Sequence, residues 1–353
     1  MNRIEQVRDF LNEENLDAIW ISNEKNIFYL SGFTGSTAEI VISKDNQYFI
    51  TDFRYKEQAA SQAKDYKIII REKSVFEEMN DILVEQQIKS LAFEANHVTY
   101  AQFVDVDDIL ETELVETRGV VEEIRLIKSE EEIEIMKEAC EITDQAFDHI
   151  LTFIKPGVTE LEVANEIEHF LKQKGASSMS FDTIIASGVR SSMPHGRASE
   201  KVIEDGDIVT LDFGCYYKGY SSDITRTIAV GEIDPKLVEI YHIVLEAHNR
   251  VIEQAKPGMT GKEVDAIARD YITEKGYGPD FGHSTGHGLG LDVHESLAIS
   301  KLGEQILEEG MIFTDEPGIY IEGLGGVRIE DDLVVRADGM ESLNCSPKEL
   351  IIL

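Results

Sequence analysis

Two stretches of this chain are copies of one another. "KPGVTELEVANEIEHFLKQKG" begins at Lys155 and "KPGMTGKEVDAIARDYITEKG" at Lys256, a constant offset of 101 residues. Lys, Pro, Gly, Thr, Glu and Val coincide, as do the closing Lys-Gly pairs. In each copy a threonine precedes a glutamate by three positions (Thr159 with Glu162, Thr260 with Glu263), the reciprocal cap that starts a helix. Each copy also follows a long amphipathic segment. Before the first, Ile133, Met136, Cys140, Thr143, Phe147, Ile150 and Ile154 recur at steps of three and four behind a further cap, Ser129 with Glu132. Downstream the echo continues at an offset of 104, where "EDGDIVTLDFG" (204–214) answers "EEGMIFTDEPG" (308–318). Two helices followed by β-strands, used twice, predict a pseudo-symmetric α+β domain with its strands joined in a central sheet. The midline of such a domain is a shared site.

The segment before the duplication has another texture. Ile4, Val7 and Leu11 mark an amphipathic helix, and short apolar runs follow ("DAIWIS", "AEIVIS", "QYFITD", "YKIIIRE", "SLAFEA"), separated by turn residues such as "SGFTGS" and "KDNQ". This predicts a smaller α/β domain over 1–122 and the duplicated domain over 123–353. A length of 353 residues suits two domains better than one core. The balance of 33 basic against 68 acidic residues, a net charge of −35, would be repelled by phosphate backbones and argues against nucleic acid as a partner. Cys140, Cys215 and Cys345 are far apart and odd in number, so no disulfide framework is expected. No apolar run approaches membrane-spanning length and the amino terminus does not read as a signal peptide, so the expected home is a reduced cytoplasm, away from membranes.

The duplication superposes two acids, Asp212 and Glu316, each on an apolar strand where an unpaired carboxylate is costly to bury. Each is followed by a hairpin with another acid, Asp223 and Glu330. If Lys218-Gly219 is a two-residue turn, Asp212 opposes Thr225 and shares a face with Asp223. Pro317 interrupts the ladder between Glu316 and Glu330, and there the expectation rests on the repeat alone. Four carboxylates on one midline repel unless a cation sits among them, and two divalent ions about 3.5–4 Å apart would resolve this. Only the second repeat adds histidines. "GHSTGHGLGLDVHE" (282–295) holds His283, His287 and His294, while an offset of 101 from the first two leads back to Asp182 and Ala186. One histidine should complete a metal shell and the others line the pocket. His149, His169, His242 and His248 fall on predicted helices and read as surface or core-edge residues, and "ESLAIS" reads as a loop.

At these residues the chain resembles the metallopeptidases of the pita-bread fold (peptidase family M24), and within them the Xaa-Pro dipeptidase (prolidase) and aminopeptidase P branch. The likeness runs through "TLDFG", "YSSDITRT", "HSTGHGLGLDVHE", "TDEPGIYI" and "GVRIEDDLVV". "YLSGFTGS" with "ITDFRY" resembles the branch's creatinase-like amino-terminal domain, which typical methionine aminopeptidases lack. The resemblance implies a dinuclear site held by Asp212, Asp223, His287, Glu316 and Glu330, with Asp223 and Glu330 bridging. His195, His283 and His294 are then pocket histidines, and Arg328 supports the site in the proline-specific branch. Asp315 stands where relatives commonly carry an apolar residue.

The implied chemistry is hydrolysis of the bond between an N-terminal residue and proline in a di- or oligopeptide. That bond lacks an N–H and fixes φ, so it needs a specialised pocket. Glu316 would orient and deprotonate the attacking water, while His294 and His195 stabilise the oxyanion or protonate the proline nitrogen. Oxygen donors with a single imidazole suit Mn²⁺, with Co²⁺ or Zn²⁺ fitting the same donors. A homodimer is expected. The dipeptidase reading leads. Its alternatives are an aminopeptidase P acting on longer Xaa-Pro peptides, a methionine aminopeptidase, and a binding scaffold without catalysis.

Overall fold

All five apolar runs of the amino-terminal part become strands. In a computed structural model describing residues 2–353, the chain divides into two units, 1–125 and 126–353. The first is built on a six-stranded sheet, in the order Lys67–Ile70, Gln47–Thr51, Glu39–Ser43, Ala18–Ile21, Ser90–Glu94 and Glu113–Thr117. Pairing is antiparallel on both sides of Glu39–Ser43 and parallel elsewhere. The helix Arg3–Glu13 buries Ile4, Val7 and Leu11, the stripe its spacing requires. Trp20, Val41, Ile50, Leu83 and Leu91 form part of the core.

The second unit is the duplication made visible. Helices Glu130–Leu151 and Glu160–Gln173 serve the first repeat, and Pro235–Gln254 and Gly261–Glu274 the second. The boxes at Ser129, Thr159 and Thr260 all form reciprocally. From Ile133 to Ile154, every residue of the expected stripe is buried. Each repeat has its own apolar cluster, one around Phe147, Leu171 and Phe213, the other around Val244, Ile272 and Phe313. The first contributes a three-stranded sheet, Ile184–Ser187, Ile208–Phe213 and Ile224–Ala229. The second contributes five strands, of which Gly286–Gly288, Ile312–Asp315 and Asp331–Arg336 matter most here. A bridge between Thr225 and Glu330 joins the two sheets at the pseudo-symmetry line.

"ESLAIS" is a strand rather than a loop: Glu295–Ile299 pairs with Gly286–Gly288 and buries Leu297 and Ile299. An alternation of only two apolar side chains, Leu297 and Ile299, does not distinguish a strand from a loop until its partner strand is in place. Among the described residues, no helix is long and apolar enough to cross a membrane.

Candidate metal centre

A single row of side chains crosses the junction of the two sheets. Ile184 stands opposite Asp212, and Asp212 opposite Thr225. Thr225 in turn faces Glu330, whose amide donates to the Thr225 carbonyl at 3.0 Å. Directly opposed residues of neighbouring strands point to one face, so Asp212, Thr225 and Glu330 share it. The register on this side is set by a tight turn. Tyr217 pairs with Tyr220, and both Lys218 (φ +49°) and Gly219 (φ +91°) adopt the left-handed conformation of a hairpin turn. Asp223, two residues before Thr225, joins the same face one pleat along.

Pro317 does interrupt the second hairpin, but it does not shift the register. Asp315 faces Asp331 on one side of the gap and Gly318 faces Arg328 on the other, with two residues of each chain between. Glu316 therefore opposes Glu330. The Glu316 amide donates to the Thr285 carbonyl at 2.7 Å, which adds the histidine strand to the row. That strand comes unusually close: a Cβ on Gly286 would stand 1.6 Å from the Thr314 carbonyl oxygen. Only glycine allows the approach that delivers His287.

His287 Nε2 lies 3.5 Å from Glu316 Oε1 and 3.9 Å from Asp223 Oδ2. Its Nδ1 is 3.1 Å from the Gly288 carbonyl, which can only accept, so Nδ1 carries the hydrogen and Nε2 turns its lone pair toward the acids. Burial, reinforced by neighbouring His294, lowers the imidazole to about 4 and keeps it neutral. The carboxyls move the other way. Burial pushes Asp223 well above the usual carboxylate range, and Glu330, Asp212, Asp332 and Glu316 add repulsion. Glu330 is raised by burial and then by Glu316 and Asp212. Burial raises Glu316 to about 8 although Arg328 pulls it down, and Asp212 is raised by burial against the same arginine. Asp223 Oδ1 is buried without a hydrogen-bond partner. Donor atoms of Asp223, His287 and Glu330 all lie within 4.8 Å of one another. Crowded acids, a neutral imidazole aimed at them and an orphaned carboxylate oxygen suit a divalent cation.

The row opens into a cavity of about 460 Å³, lined among others by His195, His283, His294 and Arg328. His195 and His294 are exposed, and the His294 ring lies 4.3 Å from that of His287. Arg328 is buried and runs along the acids. It donates to Asp212, to Thr225 Oγ1 at 3.1 Å, to the Pro194 carbonyl at 3.2 Å and to the Tyr320 hydroxyl at 2.8 Å. Tyr320 passes its own hydrogen to His283 Nε2 at 2.9 Å, and His283 Nδ1 donates to the Ser284 carbonyl at 2.7 Å. Burial first, then the charge of Arg328, lowers His283 to about 4, so this chain of donors runs one way.

Several supports escaped the sequence. Tyr320 carried no signal beyond lying in an apolar run. Asp332 accepts from the Asp223 amide at 3.0 Å and from Cys140 Sγ at 3.2 Å, which fixes the backbone that presents Asp223. On helix Gly261–Glu274, the buried Asp265–Arg269 pair donates from Arg269 to the Phe281 and His283 carbonyls at 3.0 and 2.7 Å, and accepts from Thr285. His248 requires a correction. It is fully buried, not at a surface or core edge, with Nδ1 2.8 Å from Asp315 and Nε2 3.4 Å from Asp331. Burial opposes its charge, but the two carboxylates raise it to about 9. Asp315 and Asp331 face one another across the strands and adjoin Glu316 and Glu330 in the chain, and a helical spacing of apolar residues around position 248 could not reveal that acids would face it.

Buried acids gathered for a cation, with an open cavity on one side, suit metal-assisted activation of a water. The chain belongs to metallopeptidase family M24, which its residues 134–337 match, while residues 3–127 match the creatinase/prolidase N-terminal domain. It is thus a metal-dependent peptidase of pita-bread architecture. A solved Xaa-Pro dipeptidase from Bacillus anthracis is 54% identical, covers 99% of both chains and superposes with a TM-score of 0.98. The Xaa-Pro dipeptidase of Pyrococcus furiosus is 42% identical over 351 residues, 99% of each chain. A solved X-Pro aminopeptidase from Thermotoga maritima is 40% identical with a TM-score of 0.91, covering 96% of this chain and 98% of its own.

Proposed function

We propose that this protein is an Xaa-Pro dipeptidase acting through two divalent ions. The observation that carries this is the row itself: Asp212, Glu330 and Glu316 on one face, Asp223 beside them with an unpartnered oxygen, and the neutral His287 turned toward them. Asp212, Asp223, His287, Glu316 and Glu330 would hold the metals. The donor set favours Mn²⁺. The likeness to dipeptidases from Bacillus anthracis and Pyrococcus furiosus supports the substrate class. We assign the working enzyme as a cytoplasmic homodimer on the sequence expectation.

The metals, when bound, supply Lewis-acid activation of a water and of the scissile carbonyl. The chain's own groups do the rest. Glu316, open toward the cavity, takes the proton of the attacking water. Arg328 holds Asp212 in place through its guanidinium and keeps positive charge beside the developing oxyanion. His294 and His195, exposed at the cavity wall, donate to that oxyanion or relay the proton from Glu316 to the proline nitrogen, which must gain one to leave. Tyr320 fixes His283, so the ring is a rigid wall of the pocket.

A second reading, cleavage of longer Xaa-Pro peptides, is favoured by the likeness to the Thermotoga maritima aminopeptidase. Adding metal back to metal-free protein and following Ala-Pro and Ala-Pro-Ala tests both.

A further inference from the structure

The proposed substrate ends in a carboxylate one residue beyond the scissile bond, and a dipeptidase needs a cation there. Arg328 is the obvious cation in the cavity, yet its hydrogens are committed. Of the five N–H donors of a guanidinium, four already go to Asp212, Thr225, Pro194 and Tyr320. It is built into the wall.

The other cation lining the same cavity is Arg197. The row that carries the acids leads to it. Arg197 bridges Ile184, and Ile184 faces Asp212, so Arg197 and Asp212 lie on one face with a single strand between. At strand spacings of about 4.8 Å, its backbone is roughly 10 Å from that of Asp212. An extended dipeptide spans about 7 Å. A dipeptide cleaved at the acids is therefore long enough for its far end to come within reach of the Arg197 side chain.

The present partner of Arg197 is informative. Its guanidinium lies 2.8 Å from a carboxylate oxygen of Asp182, and both side chains are largely exposed, at 77% and 68%. Asp182 lines the cavity too, and it is the counterpart of His283 at the offset of 101 residues. The duplication thus sets a carboxylate against Arg197 on the wall facing the histidine loop. An exposed ion pair of this kind contributes little and is easily exchanged.

We propose that Arg197 binds the terminal carboxylate of Xaa-Pro dipeptides, which displaces the carboxylate of Asp182 from its guanidinium. This assignment rests on the Xaa-Pro reading and deepens it: Arg197, rather than Arg328, sets the preference for a free proline carboxylate. A peptide continuing past proline brings no charge to that position and gains nothing from Arg197.

The test compares Ala-Pro with Ala-Pro-amide, which differs only in that charge, on Mn²⁺-loaded wild type and Arg197→Gln. Substituting an exposed side chain leaves the fold intact, and equal metal content in the two proteins checks it. Loss of a charge-assisted contact should lower kcat/KM for Ala-Pro roughly tenfold or more, mainly through KM, and change the amide less than about threefold. Arg197→Lys should fall between. Equal losses on both compounds, or no loss on Ala-Pro, overturn the role of Arg197 while leaving the Xaa-Pro chemistry standing. A wild type that cleaves neither compound overturns the chemistry and the assignment together.

Discussion

Replacing Asp223 by asparagine should make the metal-free protein more stable while destroying its response to metal. The reason is the crowding of acids. Ligand atoms of Asp223 and Glu330 lie within 4.8 Å of each other, and at an effective dielectric of about 20 two full charges at that separation repel by roughly 3.5 kcal/mol. Burial and repulsion already hold both carboxyls above their ordinary range, so part of that cost is relieved by bound protons. We therefore expect Asp223→Asn to stabilise the metal-free fold by about 1–3 kcal/mol at neutral pH, worth roughly 3–10 °C in Tm for a unit of this size. The new amide has acceptors nearby in Glu330 and Asp212, so it is not left unsatisfied. With metal the order reverses. A ligand at a hundred times its Kd stabilises wild type by about 2.7 kcal/mol, and the variant, lacking the Asp223 charge, should gain little of this. Thermal melts in chelator and in Mn²⁺, run on both proteins, read all four numbers. A metal-free variant that melts below metal-free wild type, or a Mn²⁺ shift equal in the two, would refute the reasoning.

Two further outcomes follow from the same geometry. His294→Ala should cut turnover by roughly a hundredfold with metal content unchanged, whereas His287→Ala should lose metal; like behaviour of the two would dissolve the division between ligand and pocket histidines. Metal binding should also release protons. Glu316 titrates near 4.5 in an unfolded chain but is raised to about 8 in the fold, so the folded metal-free protein binds the extra proton between those values. Its contribution to stability is full below pH 4.5 and is lost as pH rises toward 8, and metal affinity should climb over the same window. Calorimetric titration with Mn²⁺ at pH 6.5, in two buffers of different ionisation enthalpy, measures the release; a heat independent of buffer contradicts it.

What the sequence made legible was whatever repeats locally or by duplication. The caps at Ser129, Thr159 and Thr260 announce helices because the motif is complete within four residues. The turn at Lys218-Gly219 determines the partner of Asp212 by counting outward from two positions. Pro317 breaks the alternation on which counting depends, although the register runs straight through it and sets Glu316 against Glu330. The strand Glu113–Thr117 leaves little trace because it lies at the sheet edge, where Glu113 and Glu116 dilute the apolar signal. His248, Tyr320 and the Asp265–Arg269 pair were illegible for a different reason. Each acts through a residue far away in the chain, and a buried imidazole between two acids looks, in one dimension, like any histidine on a helix.

The measurement that bears most directly on the central claim is Ala-Pro hydrolysis during a titration of metal-free protein with Mn²⁺. Activity should be absent at the start, rise with added metal and level off at about two equivalents per chain, with Ala-Pro preferred to Ala-Pro-Ala. A tenfold preference for the tripeptide, about 1.4 kcal/mol at the transition state, would contradict the dipeptidase assignment. Full hydrolysis of Ala-Pro with no metal bound would contradict the account of the site altogether.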